Sequence, residues 1–388
     1  MKQKKGILII SPFFRPMVGG QETHLTDLTD YLRKKDYYVF VVTYNFNKFT
    51  FKRLNSKIET AQKIEIKDNL EIHRLSFFSY DLFLKFAKYP IIEFLYLFPC
   101  LFLHSFYFTS KHKHKFNIIH AHGLVAALIA SIISKIFNKK TLVSLHTDYG
   151  IKKNSYFSMF VKMTLNKFDT IFTLSNKARE DLITKLPSEK IKVYTYWVDQ
   201  TIFRPLNKIK CKTIMDIKSE FLVLFVGRLT EIKGVKVLIE VASIIKNVDF
   251  YFIGVGPLLN EVKKASLINK NIILIGKVEN EDLPLYYNAA DVVVVPSQYE
   301  EGFGRVVIES LSCGTPVIAS NRGGLPEAFN PSVGVLIEPT VENIVQKIQF
   351  FYENPKELEK LKSNCRSYAI ERFSEKNAEL IEKCYQEG

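Results

Sequence analysis

Two acidic residues stand eight positions apart in Glu301-Gly-Phe-Gly-Arg-Val-Val-Ile-Glu309, with Gly302 and Gly304 flanking Phe303 between them. Glycines at a strand-to-helix turn let backbone approach a ligand closely. The start of a helix offers free N–H groups and a positive dipole end to an anion. The pattern places Glu301 in the loop and Glu309 on the helix, where its carboxylate can accept from a ribose diol. The plain alternative is one helix-capping acid and one exposed acid. A second run, Phe225-Val-Gly-Arg-Leu-Thr-Glu-Ile-Lys-Gly234, turns at Gly227 and puts Arg228 and Lys233 in a loop before a helix. A departing nucleoside diphosphate gains negative charge, for which Arg supplies a bidentate fork and Lys a point charge. Two solvated surface cations are the alternative.

Weaker signals accompany these. Pro16-Met-Val-Gly-Gly-Gln-Glu-Thr-His24 opens a first helix at Gly19 and Gly20, a phosphate-approach loop in general form. His120, His122 and His146 fall at or just past the ends of apolar runs. Each is either a site residue or a hydrogen-bonded core histidine. Gly254-Val-Gly-Pro257 and Gly276-Lys-Val278 also end strand-like runs and offer a nucleobase or ribose a close approach. No Asp-x-Asp pair occurs, and the histidines lack companion cysteines at zinc spacing. No metal and no cofactor are therefore expected.

The elements that must position these residues alternate. Gly6–Ser11, Tyr38–Thr43, Ile118–His120 and Thr141–His146 read as buried strands, with helices over Glu22–Lys34 and Leu124–Phe137. The rhythm restarts with strands at Phe221–Val226, Phe250–Ile253, Ile272–Ile275, Val292–Val295 and Val317–Ala319. Helices near Val235–Lys246, Leu258–Leu267, Leu283–Ala289, Val306–Cys313 and Val341–Tyr352 accompany them, and Asp199–Lys212 reads as a linker. The class is α/β: two Rossmann-like, doubly wound domains facing across a cleft, with ligand chemistry at the carboxyl ends of the strands. The expected domains are 1–200 and 201–370, followed by a closing segment, 371–388.

Length and composition agree with two globular cores: 388 residues, 47% hydrophobic and 24% charged. The five cysteines form no CxxC pair, so a reducing, cytoplasmic setting is expected. The start of the chain reads as a strand and not as a cleaved leader. The net charge of +14 is uneven: residues 1–200 hold 31 Lys/Arg against 16 Asp/Glu, and the remainder 23 against 24. A basic first half suits an anionic partner, with a merely Lys-rich surface as the alternative. Residues 77–108 contain 13 aromatics and lead into Lys111-His-Lys-His-Lys115. Glu93, Pro99 and His104 interrupt this stretch, which weighs against a spanning helix. Segment 77–115 is read either as an interfacial pair of helices on anionic lipid at the inner face of the cell membrane, or as a packed pair within the domain. No interleaved Arg/aromatic motif supports nucleic-acid binding.

Together these residues resemble the retaining glycosyltransferases of family 4, over nearly the whole chain and in matching order: Pro16–Glu22, Ile118–His122, His146, Phe225–Gly234, Gly254–Pro257, Glu301–Glu309 and Gly323-Gly-Leu-Pro-Glu327. Arg372-Phe-Ser374 resembles the family's closing helix, which packs back on the first domain. The resemblance implies the GT-B fold and a metal-independent, retaining hexosyltransferase. Its donor would be a UDP- or GDP-sugar and its acceptor a hydroxyl on a lipid-linked molecule or a glycan. Polysaccharide, lipopolysaccharide or glycolipid synthesis is the implied setting. By the same resemblance Arg228 and Lys233 hold the diphosphate, Glu309 holds the ribose and Glu301 lies beside the transferred sugar. His146 contacts that sugar and Gly20 approaches the phosphates, with His122 on the acceptor side. The alternatives on this fold are a nucleotide-sugar epimerase, a phosphorylase and a non-catalytic sugar-nucleotide-binding subunit.

Overall fold

The computed structural model describes residues 5–17, 19–45, 61–76, 82, 86, 89–146 and 156–387. It divides into two units, Met1–Tyr194 with Ala378–Gly388, and Thr195–Asn377. The first unit carries β1 (Gly6–Ile10), β2 (Tyr38–Tyr44), β3 (Ile64–Lys67), β4 (Leu70–Leu75), β5 (Ile118–His122), β6 (Lys140–Ser144), β7 (Thr170–Thr173) and β8 (Ile191–Val193). They form one sheet in the order β3-β4-β2-β1-β5-β6-β7-β8, parallel except for the β3–β4 pair. The central strands are apolar runs because helices cover both faces of a parallel sheet. Winding reverses between β1 and β5, and ligands bind such sheets at the carboxyl ends around that reversal. β5 runs two residues further than the sequence suggests, so His120 and His122 both lie within the strand. β6 stops at Ser144, leaving His146 two residues beyond it.

The second unit carries β9 (Leu222–Val226), β10 (Asp249–Ile253), β11 (Ile272–Gly276), β12 (Val292–Val295), β13 (Val317–Ser320) and β14 (Gly334–Ile337). Their order is β11-β10-β9-β12-β13-β14, all parallel, with the reversal between β9 and β12. The loops after these two strands are those that hold Arg228 with Lys233, and Glu301. Part of the expected linker is instead the helix Lys208–Ile214, started by the Asn207 side chain, which accepts from Lys210 N. Lys208 is ion-paired with the buried Asp291, so this segment is fastened to the unit and is not a free tether.

Of the segment 77–115, Phe77, Phe78, Tyr80 and Phe83 lie outside the described residues. The rest is dominated by a helix, Pro90–His112, long and apolar enough to cross a membrane by length and composition. One of its faces is spent on the first unit's core: Leu97, Leu101 and Phe108 are buried there beside Phe40 and Phe116. Pro99 lies within the helix, and the Tyr44 side chain reaches the same turn. Its hydroxyl donates to Leu97 O (2.6 Å) and accepts from Leu101 N (3.1 Å), inserting a side chain into the ladder beside the proline. The opposite face leaves Ile91, Leu95, Leu103 and Tyr107 exposed.

The last helix, Lys376–Gln386, buries Ile381, Cys384 and Tyr385 in the first unit. Tyr31 donates to Glu382 (2.6 Å), Lys140 donates to Cys384 O (2.6 Å), and the Tyr385 hydroxyl meets His120 Nδ1 at 2.5 Å. Truncating a buried aromatic removes its packing as well as this bond. Tyr385→Ala is therefore expected to cost about 3–5 kcal/mol, and Tyr385→Phe about 1 kcal/mol. Urea unfolding followed by circular dichroism checks this. Equal midpoints for the wild type and Tyr385→Ala would contradict it.

Candidate functional site

In the second unit, Glu301 anchors the site. Its side chain is only 8% exposed and accepts three bonds: from Lys233 Nζ (2.5 Å), Ser297 Oγ (2.5 Å) and the Tyr299 hydroxyl (3.0 Å). Burial pulls the Lys233 ammonium down, but Glu301 and Tyr299 outweigh it and the net shift is upward. Lys233 is therefore a full cation at neutral pH. Burial and then Glu301 push the Tyr299 hydroxyl up, keeping it a neutral donor. Ser297 and Tyr299 were not singled out in the sequence. Their only signal is position, four and two residues before Glu301 on the same loop.

Backbone contacts hold the two loops together. Gln298 N donates to Ile232 O (2.8 Å). Gly234 has φ +74°, and a Cβ there would stand 2.0 Å from Pro296 O, so only glycine lets the Lys233 turn close on the neighbouring loop. Gly323 has φ +58°, and a Cβ on it would stand 2.1 Å from Glu301 O. Its N–H donates to Glu300 (2.7 Å), and Gly324 N donates to Glu301 O (2.7 Å). The Gly323-Gly324 turn thus clasps the backbone on either side of the buried carboxylate.

Arg228 follows Gly227 on the β9 loop with its side chain exposed; among the described residues its guanidinium has no ion-pair partner. Gly227 N donates to Ile253 O (3.0 Å) and Gly254 N to Gly276 O (2.7 Å). Those two N–H groups tie the β9 and β10 ends to the ends of the neighbouring strands β10 and β11. Val278, two residues past β11, is half-buried beside the exposed Lys277–Glu279 pair.

The Phe303 ring, in the loop expected to meet the donor, is buried and packs edge-on against Tyr196 (6.4 Å) and Phe373 (5.9 Å). It wedges the Gly302–Gly304 loop into the core, at the start of the helix Arg305–Ser312. Val307 N in its first turn donates back to Gly304 O (2.9 Å), so the N–H groups ahead of it are those the helix start can offer. Glu309 lies on it, buried, with Arg305 Nε (2.8 Å) and the Tyr287 hydroxyl (2.8 Å) each on one carboxylate oxygen. Two lone-pair sites remain for other donors.

In the first unit, Gly19 is the N-cap of the helix Gly20–Lys34, in extended backbone, and a Cβ on it would stand 2.3 Å from Glu22 Oε2. Gln21 at that helix start donates to Ser11 Oγ (3.3 Å) beyond β1. His120 is a core histidine: its Nε2 meets Ser144 Oγ (2.9 Å) and its Nδ1 the Tyr385 hydroxyl. His122 was expected on the acceptor side. Its ring is wholly buried, with Nδ1 3.0 Å from His146 Nε2, so it presents nothing to an acceptor. His24, bonded to the Tyr194 hydroxyl at 3.0 Å, lies with its ring 6.0 Å from that of His146. The strand alternation that puts His120 and His122 on one face also brings their rings to 4.3 Å.

Chemically, the second unit presents a fixed ammonium, an open guanidinium and a helix start around one sheet reversal, which suits an anion. The first unit presents neutral imidazoles. Two family models match the chain in turn. The family described as Glycosyltransferase Family 4 matches residues 18–200, and that described as Glycosyl transferases group 1 matches residues 212–368. The chain is 29% identical over 286 residues to an uncharacterized 41.2 kDa protein in the cps region of Klebsiella pneumoniae, covering 68% of this chain and 76% of that one. It is 24% identical to one of the subunits of human phosphatidylinositol N-acetylglucosaminyltransferase, covering 88% of this chain and 67% of that one. Among solved structures, sucrose-phosphate synthase from Thermosynechococcus elongatus superimposes with TM-score 0.81 at 22% identity, over 99% of both chains. Anabaena HepE in complex with UDP-glucose superimposes with TM-score 0.75 at 19% identity, over 98% of both.

The buried imidazoles make stability depend on pH. Burial, with His146 alongside, pushes His120 down to about 3; burial alone does the same to His146, and His122 falls well below its usual value. Unfolded, each titrates near 6.5. Below about pH 6.5 the unfolded chain holds protons the folded chain lacks, so stability is complete above that value and falls as the pH drops toward about 3. Three such groups give a slope of up to about 4 kcal/mol per pH unit. Thermal unfolding between about pH 7.5 and 5 should show it, with a shallower slope in His120→Asn. A flat wild-type profile would overturn the assignment of neutral histidines.

Proposed function

Because the chain belongs to glycosyltransferase family 4 and has the GT-B fold, we propose that it moves a sugar from a UDP- or GDP-sugar to a hydroxyl of a lipid-linked or glycan acceptor. In this reading the transfer retains anomeric configuration and needs no bound metal. The observation that carries it is the Lys233–Glu301 pair beside the open Arg228, at the reversal between β9 and β12. An ammonium has three N–H donors, so Lys233 can keep Glu301 and still donate to a phosphate oxygen. Arg228 adds a second cation, and together they stabilise the charge that grows on the leaving diphosphate in place of a metal. The free lone pairs of Glu309 accept from the ribose diol. In the same reading Gly20 and His146 are the first unit's residues assigned to the phosphates and to the transferred sugar. Support for a nucleotide donor comes from HepE, whose structure holds UDP-glucose. Support for a lipid acceptor comes from the human relative, named for phosphatidylinositol.

Turnover of UDP- and GDP-sugars by the wild type and Lys233→Ala tests this. Loss of one preorganised donor of this kind lowers kcat by about 10²–10³-fold. Equal turnover would remove Lys233 from the mechanism. The wild-type rate is expected to be unchanged by a chelator, and the product to keep the donor's anomeric configuration.

The cytoplasmic, peripheral location proposed for the chain rests on the helix Pro90–His112. Its exposed Ile91, Leu95, Leu103 and Tyr107 lead into Lys111, Lys113 and Lys115, also at the surface. Apolar side chains would enter the interface, and each lysine would add about 1 kcal/mol on anionic lipid. Vesicles containing phosphatidylglycerol should sediment the wild type but not the double variant Leu95→Glu/Leu103→Glu. Equal sedimentation with neutral lipid at high salt would refute the electrostatic part.

A further inference from the structure

The two nearest nitrogens of His122 and His146 are 3.0 Å apart, their ring centroids 5.3 Å apart, and their planes within 16° of each other. Those three values together describe two nearly coplanar imidazoles with a nitrogen of each aimed at the other. Such a pair holds one proton between the facing nitrogens, so one donates and the other must be bare. The remaining nitrogen of His122, Nε2, is buried and meets no hydrogen-bond partner among the described residues. A buried N–H without an acceptor is rarer in folded proteins than an unused acceptor. The proton of His122 therefore belongs on Nδ1.

We infer that His122 is a positioning residue for His146: its Nδ1–H donates to His146 Nε2 and thereby fixes His146 as the Nδ1–H tautomer. A neutral imidazole held this way carries its proton on Nδ1 and has no free basic nitrogen at Nε2. His146 then meets the sugar as a neutral imidazole. It is neither a nucleophile nor a base through Nε2. His122 reaches this arrangement from β5, and His146 from the end of neighbouring β6. The parallel register that pairs His122 with Ser144 sets His146 just beyond. The inference rests on the proposed contact between His146 and the transferred sugar, and deepens it.

Tautomers are read directly from multiple-bond 1H–15N correlation spectra of the 15N-labelled full chain at about pH 7.5. Both histidines should show a protonated Nδ1 and a bare Nε2. In His122→Leu, His146 should revert to the Nε2–H form that free imidazole favours. In His122→Asn, whose side-chain N–H can donate from the place of Nδ1, the wild-type form should persist. Sugar transfer should follow the tautomer. Its kcat should fall about tenfold in His122→Leu, the worth of one hydrogen bond, and recover in His122→Asn, with KM for the donor little changed. A wild-type His146 protonated at Nε2, or a His146 spectrum indifferent to His122→Leu, would overturn the inference. Wild-type transfer by His146→Ala would instead remove His146 from the proposed reaction while the tautomer result stood.

Discussion

A carboxylate as deeply buried as Glu301 would cost several kcal/mol without partners, whereas a surface ion pair is worth at most about 1 kcal/mol. That difference organises the second unit. Lys233 must come from the β9 loop, and Ser297 and Tyr299 from the β12 loop, so those loops are bound to each other before any ligand arrives. The Gly323-Gly324 turn closes from the far side. Lys233 is thereby fixed in orientation and charge. A diphosphate arriving there meets a cation that needs little reorganisation, the arrangement in which electrostatic stabilisation is strongest.

The first unit meets burial in the opposite way. Where the second neutralises a charge with donors, the first keeps His120, His122 and His146 uncharged and joins them to hydroxyls and to one another. A neutral imidazole suits a sugar hydroxyl, which carries no formal charge. Paired ions suit a leaving group whose charge rises.

Much of this was legible in the sequence. Central strands such as Val292–Val295 are apolar on both faces and bounded by turns, and the charged residues of the second site sit at loop positions that glycines announce. What escaped had physical reasons. β3 lies at a sheet edge, and its Ile-Glu-Ile-Lys run is too polar and too short to read as core. Helix Lys208–Ile214 looked like linker because Pro205 and its lysines mask the Asn207 cap. Ser297, Tyr299, Tyr287 and Tyr385 are single hydroxyls with no periodicity, made important only by the carboxylate or imidazole they meet. His122 was placed in the right neighbourhood with the wrong aim, and the inward turn of the Phe303 ring was not legible. Spacing says where a residue sits along the chain but not whether a ring next to a glycine turns inward.

The phenol of Tyr44 inserts into the helix Pro90–His112 beside Pro99. Mechanically it is a pin through a jointed rod. It fastens the rod at its joint to the carboxyl end of β2, so the exposed outer half cannot tilt without straining that fastening. Load applied to the apolar face is transmitted to the sheet, and the helix serves as a strut and not as a loose flap.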